Sequence, residues 1–250
     1  MPDFKKIIFC LLLTGCTTLD VPPDFEYTEI RTENFDFAVW QKITDNSVGY
    51  KVYIEGDGYA FNASGQPTDN PTPHDTFVRE LAFGDKHPNV IYMARACQFV
   101  QRKKCVQKYW TTARFAPEIV DAQADALKQI VGNSPVTAVG FSGGAQIAGL
   151  TAMRHPEIKI KKIITIAGNL DHPAWTEHHH VPPLSESLDL NDYAADFAKI
   201  PQQHYVGTAD EIMPPFINRR FAADKSTVIE VKGATHNRGW VSVIFQIRSE

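Results

Sequence analysis

The chain has 250 residues, of which 43% are hydrophobic and 11% aromatic, so it can form one sizeable core and is not disordered over most of its length. Its 29 aspartates and glutamates outnumber its 25 lysines and arginines, and the net charge of -4 excludes a basic surface that could hold nucleic acid. No apolar run reaches the roughly 18 residues that a membrane-spanning helix needs.

The N-terminus has the pattern of an export signal. Lys5 and Lys6 precede a short apolar run, which predicts a cleaved signal peptide over 1–15. The sequence LTGC at 13–16 resembles the bacterial lipobox, in which the cysteine is acylated and becomes the first mature residue. The resemblance implies a lipid on Cys16 that anchors the protein to a membrane of the bacterial cell envelope, facing the periplasm or the cell surface. The alternative is an ordinary signal peptide that leaves Cys16 as a free thiol.

Prolines and polar residues after Cys16 predict a tether over 16–34, followed by a single folded domain over 35–250. Within this domain, strand-like and helix-like apolar patterns alternate. Strands are predicted at 50–54, 89–93, 136–141, 162–167, 203–206 and 227–231, and helical or apolar segments at 117–130, 143–155, 215–222 and 240–247. This alternation predicts an α/β domain with a mostly parallel central sheet flanked by helices.

Two further cysteines, Cys97 and Cys105, lie close together in the sequence. In an oxidising compartment such an isolated pair most simply forms a disulfide that closes a small surface loop. A metal site is the alternative, although this stretch offers few other ligands.

A possible nucleophile lies between a predicted strand and a predicted helix. The sequence GFSGG at 140–144 matches the G-x-S-x-G pattern, in which small residues allow a sharp turn that presents a serine above the sheet. The alternative is a glycine-rich turn with Ser142 as a helix cap. A neutral hydroxyl is a weak nucleophile, so Ser142 needs a base and an orienting acid from elsewhere in the chain.

The base and acid candidates each follow a predicted strand. His236 comes after the last clear strand, and Asp210 comes after the strand before it. Serine, acid and histidine therefore occur in the order that this motif requires. Asp171 follows the strand at 162–167 and is the alternative acid.

From about residue 35 onward, these motifs resemble the α/β-hydrolase superfamily. The resemblance implies that Ser142 is the nucleophile, His236 the general base and Asp210 the orienting acid of a serine hydrolase. The sequence EGDG at 55–58 occupies the place of the family's H-G-x-G loop, with Glu55 instead of histidine. The resemblance therefore implies an oxyanion hole formed by the backbone N–H of Gly143 and that of Asp57 or Gly58. The stretch 97–114 and the block AGNLD at 167–171 resemble an exported bacterial branch of this superfamily.

The segment 168–202 is either a small cap over the site or a loop that packs its aromatic residues into the core. Its three adjacent histidines, His178 to His180, and nearby His172 suggest a metal site, but adjacent histidines do not converge on one ion. We predict no metal, and no nucleotide-binding glycine motif occurs, so we expect no cofactor.

Two classes of function remain. The first is a membrane-anchored serine hydrolase that acts on small or medium acyl substrates, either carboxylic esters or thioesters. The second is a lipoprotein that uses the same fold as a non-catalytic binding module. A serine peptidase is the nearest alternative within the first class.

Overall fold

An eight-stranded sheet forms the centre of the structure, a computed structural model that describes residues 20–102, 104–221 and 228–249. The strands are β1 (Glu26–Arg31), β2 (Asp36–Ile43), β3 (Tyr50–Ile54), β4 (Asn89–Met93), β5 (Val136–Phe141), β6 (Ile160–Ile166), β7 (Gln202–Gly207) and β8 (Val228–Val231). Their order across the sheet is β1-β2-β4-β3-β5-β6-β7-β8. The two pairings of β2, with β1 and with β4, are antiparallel. The pairings among the other strands, in the order β4-β3-β5-β6-β7-β8, are all parallel.

Helices cover both faces of this sheet. They are α1 (Phe77–Phe83), α2 (Pro117–Val131), α3 (Gly143–Arg154), α4 (His172–His178), α5 (Ala194–Phe197), α6 (Pro215–Phe221) and α7 (Val241–Ser249). Residues of α2 and α3 belong to one core cluster, and residues of α1, α6 and α7 belong to the other. The strands contribute alternate side chains to the two clusters, and β3 and β4 are buried throughout. The predicted mostly parallel α/β architecture is confirmed.

The fold begins earlier than the predicted boundary at residue 35. The strand β1 lies within the predicted tether, at the edge of the sheet, where its residues are exposed or half-buried. An edge strand with one solvent-facing side carries charged residues and lacks a continuous apolar run, which explains why the composition resembled a tether. The prediction also did not include β2 and α1. The predicted signal peptide, Cys16 and residues 222 and 227 lie outside the described residues.

The order of the strands creates a crevice at one edge of the sheet. From β3 the chain passes through α1 to β4 on one side, and α2 then returns it to β5 on the other side of β3. In open parallel sheets, ligands bind outside the carboxyl ends of the strands at such a reversal. Here the loops after β3 and β5 flank this point.

The segment 168–202 combines both of its predicted arrangements. Leu190 and Phe197 are fully buried in the core beside α3. Trp175, on α4, instead lines the cavity at the carboxyl ends of the strands. This segment therefore contributes to the core through its second half and to the site through its first half.

Cys97 and Cys105 form a disulfide with Cα atoms 5.5 Å apart, as predicted, and their thiols are therefore not metal ligands. Among the described residues, no helix has both the length and the apolar character needed to cross a membrane.

Candidate active site

Ser142 occupies a strained turn between β5 and α3. Its backbone has φ 50° and ψ -122°, a conformation that residues with side chains rarely adopt. Both flanking glycines are sterically required: a Cβ at Gly140 would lie 2.6 Å from the backbone nitrogen of Ala145, and one at Gly144 would lie 2.3 Å from the carbonyl oxygen of Ile54. The glycines thus allow the sharp turn that places the serine at the end of β5.

Ser142 and His236 line the same cavity, which has a volume of about 270 Å³. The cavity wall also contains apolar and aromatic side chains from Ala60, Phe61, Pro73, Phe141, Trp175, Ile212 and Met213. Among the described residues, the hydroxyl of Ser142 makes no hydrogen bond to the imidazole of His236. Catalytic hydrogen bonds of this kind are often long in a free enzyme and shorten when substrate binds.

Asp210 is the carboxylate that contacts His236. Its Oδ2 lies 3.0 Å from Nδ1 of His236, and its Oδ1 accepts hydrogen bonds from the N–H groups of Ile212 and Met213 at 2.9 and 2.8 Å. Both oxygens are therefore oriented, and Asp210 is buried. With Nδ1 engaged, Nε2 is the ring nitrogen that can accept a proton.

Asp171, the alternative acid, has a different local role. Its Oδ1 accepts a hydrogen bond from the N–H of Ala174 at 3.0 Å and one from Nδ2 of Asn191 at 3.1 Å. The first of these caps the N-terminus of α4. The imidazole of His236 is therefore oriented by Asp210, and Asp171 holds the start of α4.

The loop 55–58 lies against the start of α3. A Cβ at Gly143 would be 2.1 Å from Oδ1 of Asp57, so the carboxylate of Asp57 packs directly against the backbone of Gly143. The N–H groups of Asp57, Gly58 and Gly143 donate to no other described residue. Unpaired backbone N–H groups beside a nucleophile can bind the negative oxygen that forms in acyl transfer.

Two arginines hold the carboxylate of Asp57. Arg95 donates from Nη1 to Oδ1 at 3.1 Å, and Arg114 donates from Nη1 to Oδ2. Burial opposes the ionisation of Asp57, but the charges of Arg114 and Arg95 outweigh it and lower the pKa. The arginines also neutralise a negative charge that would otherwise repel an oxyanion beside Gly143.

Gln98 supports this loop from the disulfide-closed segment. Its Nε2 donates to the carbonyl oxygen of Gly56 at 2.9 Å, and its Oε1 accepts from the backbone N–H of Arg95 at 2.9 Å. Sequence reasoning missed Gln98, Arg95 and Arg114 as site residues. The only sequence signal was their position. Gln98 and Arg114 belong to the stretch 97–114 that resembles the exported branch, and Arg95 lies two residues before it.

Glu55 takes the place of the histidine in the family's loop. Its Oε1 accepts a hydrogen bond from the N–H of Gly56 at 2.8 Å, and its Oε2 accepts one from the hydroxyl of Tyr92 at 2.8 Å. Burial raises the pKa of Glu55 from 4.5 to about 7, although these two hydrogen bonds oppose the shift. Glu55 therefore anchors the first peptide of the loop through a carboxyl group that ionises near neutral pH.

We expect Glu55 to make the stability of the protein depend on pH. Between pH 4.5 and about 7, the folded chain keeps a proton that the unfolded chain has lost. The free energy of unfolding should therefore fall as pH rises through this window, by about 3 kcal/mol from this group. Urea unfolding at pH 5 and pH 8 should show a smaller difference for Glu55→Gln than for the wild type. Equal pH dependence of the two proteins would contradict the role of this carboxyl group.

The histidines of the segment 168–202 contact protein groups. Nε2 of His179 lies 2.9 Å from the carbonyl oxygen of Ile212, the ring of His178 packs edge-on against Phe216, and Nε2 of His172 lies 3.0 Å from the carbonyl oxygen of Leu188. No group of three potential metal ligands occurs among residues 20–102, 104–221 and 228–249. His180 is exposed.

Solved structures with a similar chain path include several named as hydrolases. A serine hydrolase without lid from Xanthomonas campestris is 13% identical, with a TM-score of 0.54, and the match covers 91% of this chain and 92% of that chain. An esterase from Pyrococcus furiosus is 18% identical, with a TM-score of 0.58 and coverage of 90% and 87%. Est1E from Butyrivibrio proteoclasticus is 12% identical, with a TM-score of 0.60 and coverage of 89% and 96%.

These similarities establish the α/β-hydrolase fold, in agreement with the fold predicted from the motifs. No protein-family model and no curated protein sequence matches the chain. Because one fold supports many activities, function has to be argued from the site itself.

Proposed function

We propose that the protein is a serine hydrolase that cleaves the acyl bond of carboxylic esters or thioesters through an acyl-enzyme. The observation that carries this proposal is the hydrogen bond from His236 to Asp210 beside the cavity that Ser142 also lines. The strained backbone of Ser142 adds support, because such strain concentrates at functional sites. Structural neighbours named as serine hydrolase and esterase agree with this class of reaction.

In the proposed mechanism, Oγ of Ser142 attacks the acyl carbonyl carbon while Nε2 of His236 takes its proton. Asp210 stabilises the imidazolium, and the carbonyl oxygen becomes an oxyanion that accepts hydrogen bonds from Gly143 and from Asp57 or Gly58. The bond to the leaving alcohol or thiol then breaks, and His236 returns the proton to that group. Water, activated by the same imidazole, hydrolyses the acyl-enzyme and releases the carboxylic acid.

A fluorophosphonate probe tests this proposal, because it reacts covalently with an activated serine. We expect labelling of the wild type and of a surface control, Ser64→Ala, and no labelling of Ser142→Ala. Only the two labelled proteins should hydrolyse p-nitrophenyl butyrate. A wild type that is neither labelled nor active would favour the non-catalytic binding module. Faster cleavage of a matched p-nitroanilide than of the ester would favour the peptidase.

The proposal includes a membrane anchor on Cys16, supported by the lipobox-like sequence LTGC at 13–16. The site would then act at a membrane of the bacterial cell envelope, on the periplasmic or the cell-surface side. We expect the full-length protein to sediment with membranes and Cys16→Ser to remain soluble or unprocessed. Equal incorporation of a radiolabelled fatty acid into the wild type and Cys16→Ser would contradict lipidation at this residue.

A further inference from the structure

One polar side chain in the cavity wall has no role in the proposed mechanism. Asn169 follows β6, and its backbone N–H donates to the carbonyl oxygen of Ser142 at 2.8 Å. The residue is only 2% exposed, and it lines the same cavity as Ser142 and His236. The amide of Asn169 is therefore held at a fixed position beside the nucleophile.

This amide has unused hydrogen-bonding capacity. Its Oδ1 is buried without a partner, and the side chain makes no hydrogen bond to another described residue. Two carboxylates of the same wall do have hydrogen-bond partners: Asp57 binds two arginines, and Glu55 binds Tyr92 and Gly56. A buried polar group without a partner is unfavourable, and native proteins contain few of them. An unpaired amide on a residue of the cavity wall is therefore a candidate for ligand binding.

The backbone that leads to Asn169 is also strained. Ala167 has φ 46°, a left-handed conformation that is costly for a residue with a side chain. A Cβ at Gly168 would lie 2.8 Å from the Cβ atoms of Ala145 and Thr165, so this turn packs tightly against α3 and β6. Strain and tight packing thus fix the position of Asn169. An apolar side chain of the same size at this position would leave no unpaired polar group.

We propose that Asn169 determines specificity by binding a hydroxyl group of the substrate close to the scissile acyl bond, a conclusion that rests on the proposed function. An amide offers both a donor and an acceptor, and a hydroxyl is the uncharged group that matches both. Half of the other residues in the wall have apolar side chains, and Phe61, Phe141 and Trp175 contribute aromatic surface. The site therefore suits a hydroxylated substrate whose other parts are apolar. The hydroxyl belongs either to the acyl chain or to the leaving alcohol.

Two pairs of esters distinguish these sources. On the acyl side, p-nitrophenyl 3-hydroxybutyrate is compared with p-nitrophenyl 3-methylbutanoate, in which a methyl group replaces the hydroxyl. On the alcohol side, the 2-hydroxyethyl ester of butyric acid is compared with its propyl ester. We expect the wild type to favour the hydroxylated member of one pair by about ten-fold in kcat/KM, the effect of one ordinary hydrogen bond. The pair that shows the preference identifies the side of the bond.

In Asn169→Leu, we expect the ratio of kcat/KM between the two esters of that pair to fall from about ten to about one. Asn133→Leu, an exposed change that precedes β5, at the end of that strand opposite to Ser142, should retain the preference. A wild type that hydrolyses the apolar esters without favouring either hydroxylated ester would overturn the inference and leave the proposed function intact. So would a preference that survives in Asn169→Leu. If Asn169→Leu folds poorly, Asn169→Ala, which removes the amide without adding bulk, should show the same loss of preference.

Discussion

Asp210→Asn is expected to lower kcat for ester hydrolysis by about 10⁴-fold with little change in KM. The carboxylate holds Nδ1 of His236 at 3.0 Å, and its two other hydrogen bonds fix its orientation. An asparagine of the same shape would favour the wrong imidazole tautomer and would not stabilise the imidazolium. Steady-state kinetics with p-nitrophenyl butyrate would measure the loss.

Asp171→Asn is the matched control for this prediction. Asparagine caps helices about as well as aspartate, so α4 should keep its cap and turnover should change by no more than about three-fold. A larger loss of kcat in Asp171→Asn than in Asp210→Asn would reverse the assignment of the acid.

Asp57→Ala is expected to lower the free energy of unfolding by about 3–5 kcal/mol. The side chains of Arg95 and Arg114 are each only 5% exposed, and both would lose the carboxylate that offsets their buried charge. The loop 55–58 would also lose its contact with these arginines, so we expect turnover to fall by roughly 100-fold in the protein that remains folded. Urea unfolding and steady-state kinetics at the same pH would measure the two effects.

Asp121→Ala provides the comparison for stability. Asp121 also pairs with an arginine, Arg154, but its side chain is 43% exposed. Removing such a surface ion pair typically costs no more than about 1 kcal/mol. Equal free energies of unfolding for Asp57→Ala and Asp121→Ala would contradict the inference that Asp57, Arg95 and Arg114 hold the loop 55–58.

Some features of the site follow from residues adjacent in the sequence. The turn at Ser142 depends on Gly140 and Gly144, whose missing side chains make room for the neighbouring backbone. Because this constraint acts within five consecutive residues, a single-sequence motif can identify it. The order of Ser142, Asp210 and His236 along the chain can likewise be read from the sequence, and each of the three follows a strand.

Other features could not be predicted, because their signals are weak or distributed. The strand β1 has charged residues on its exposed face, so its composition resembled that of a tether. The support for Asp57 comes from Arg95 and Arg114, which lie 38 and 57 positions away. Neither arginine has a local pattern that distinguishes it from an exposed basic residue, and only its burial beside a carboxylate reveals the interaction.

Three features could be predicted from the order of the amino acids alone: the alternation of strands and helices, the sharp turn at Ser142 and the set of polar residues that follow the strands. Each of these depends on side-chain periodicity or on steric limits within a few consecutive residues. Three others became visible only in the folded chain: Asp210 and not Asp171 contacts His236, two arginines hold Asp57, and Asn169 lines the cavity. Those contacts join residues far apart in the chain, and they depend on strand order and on the loops that bring the carboxyl ends of the strands together.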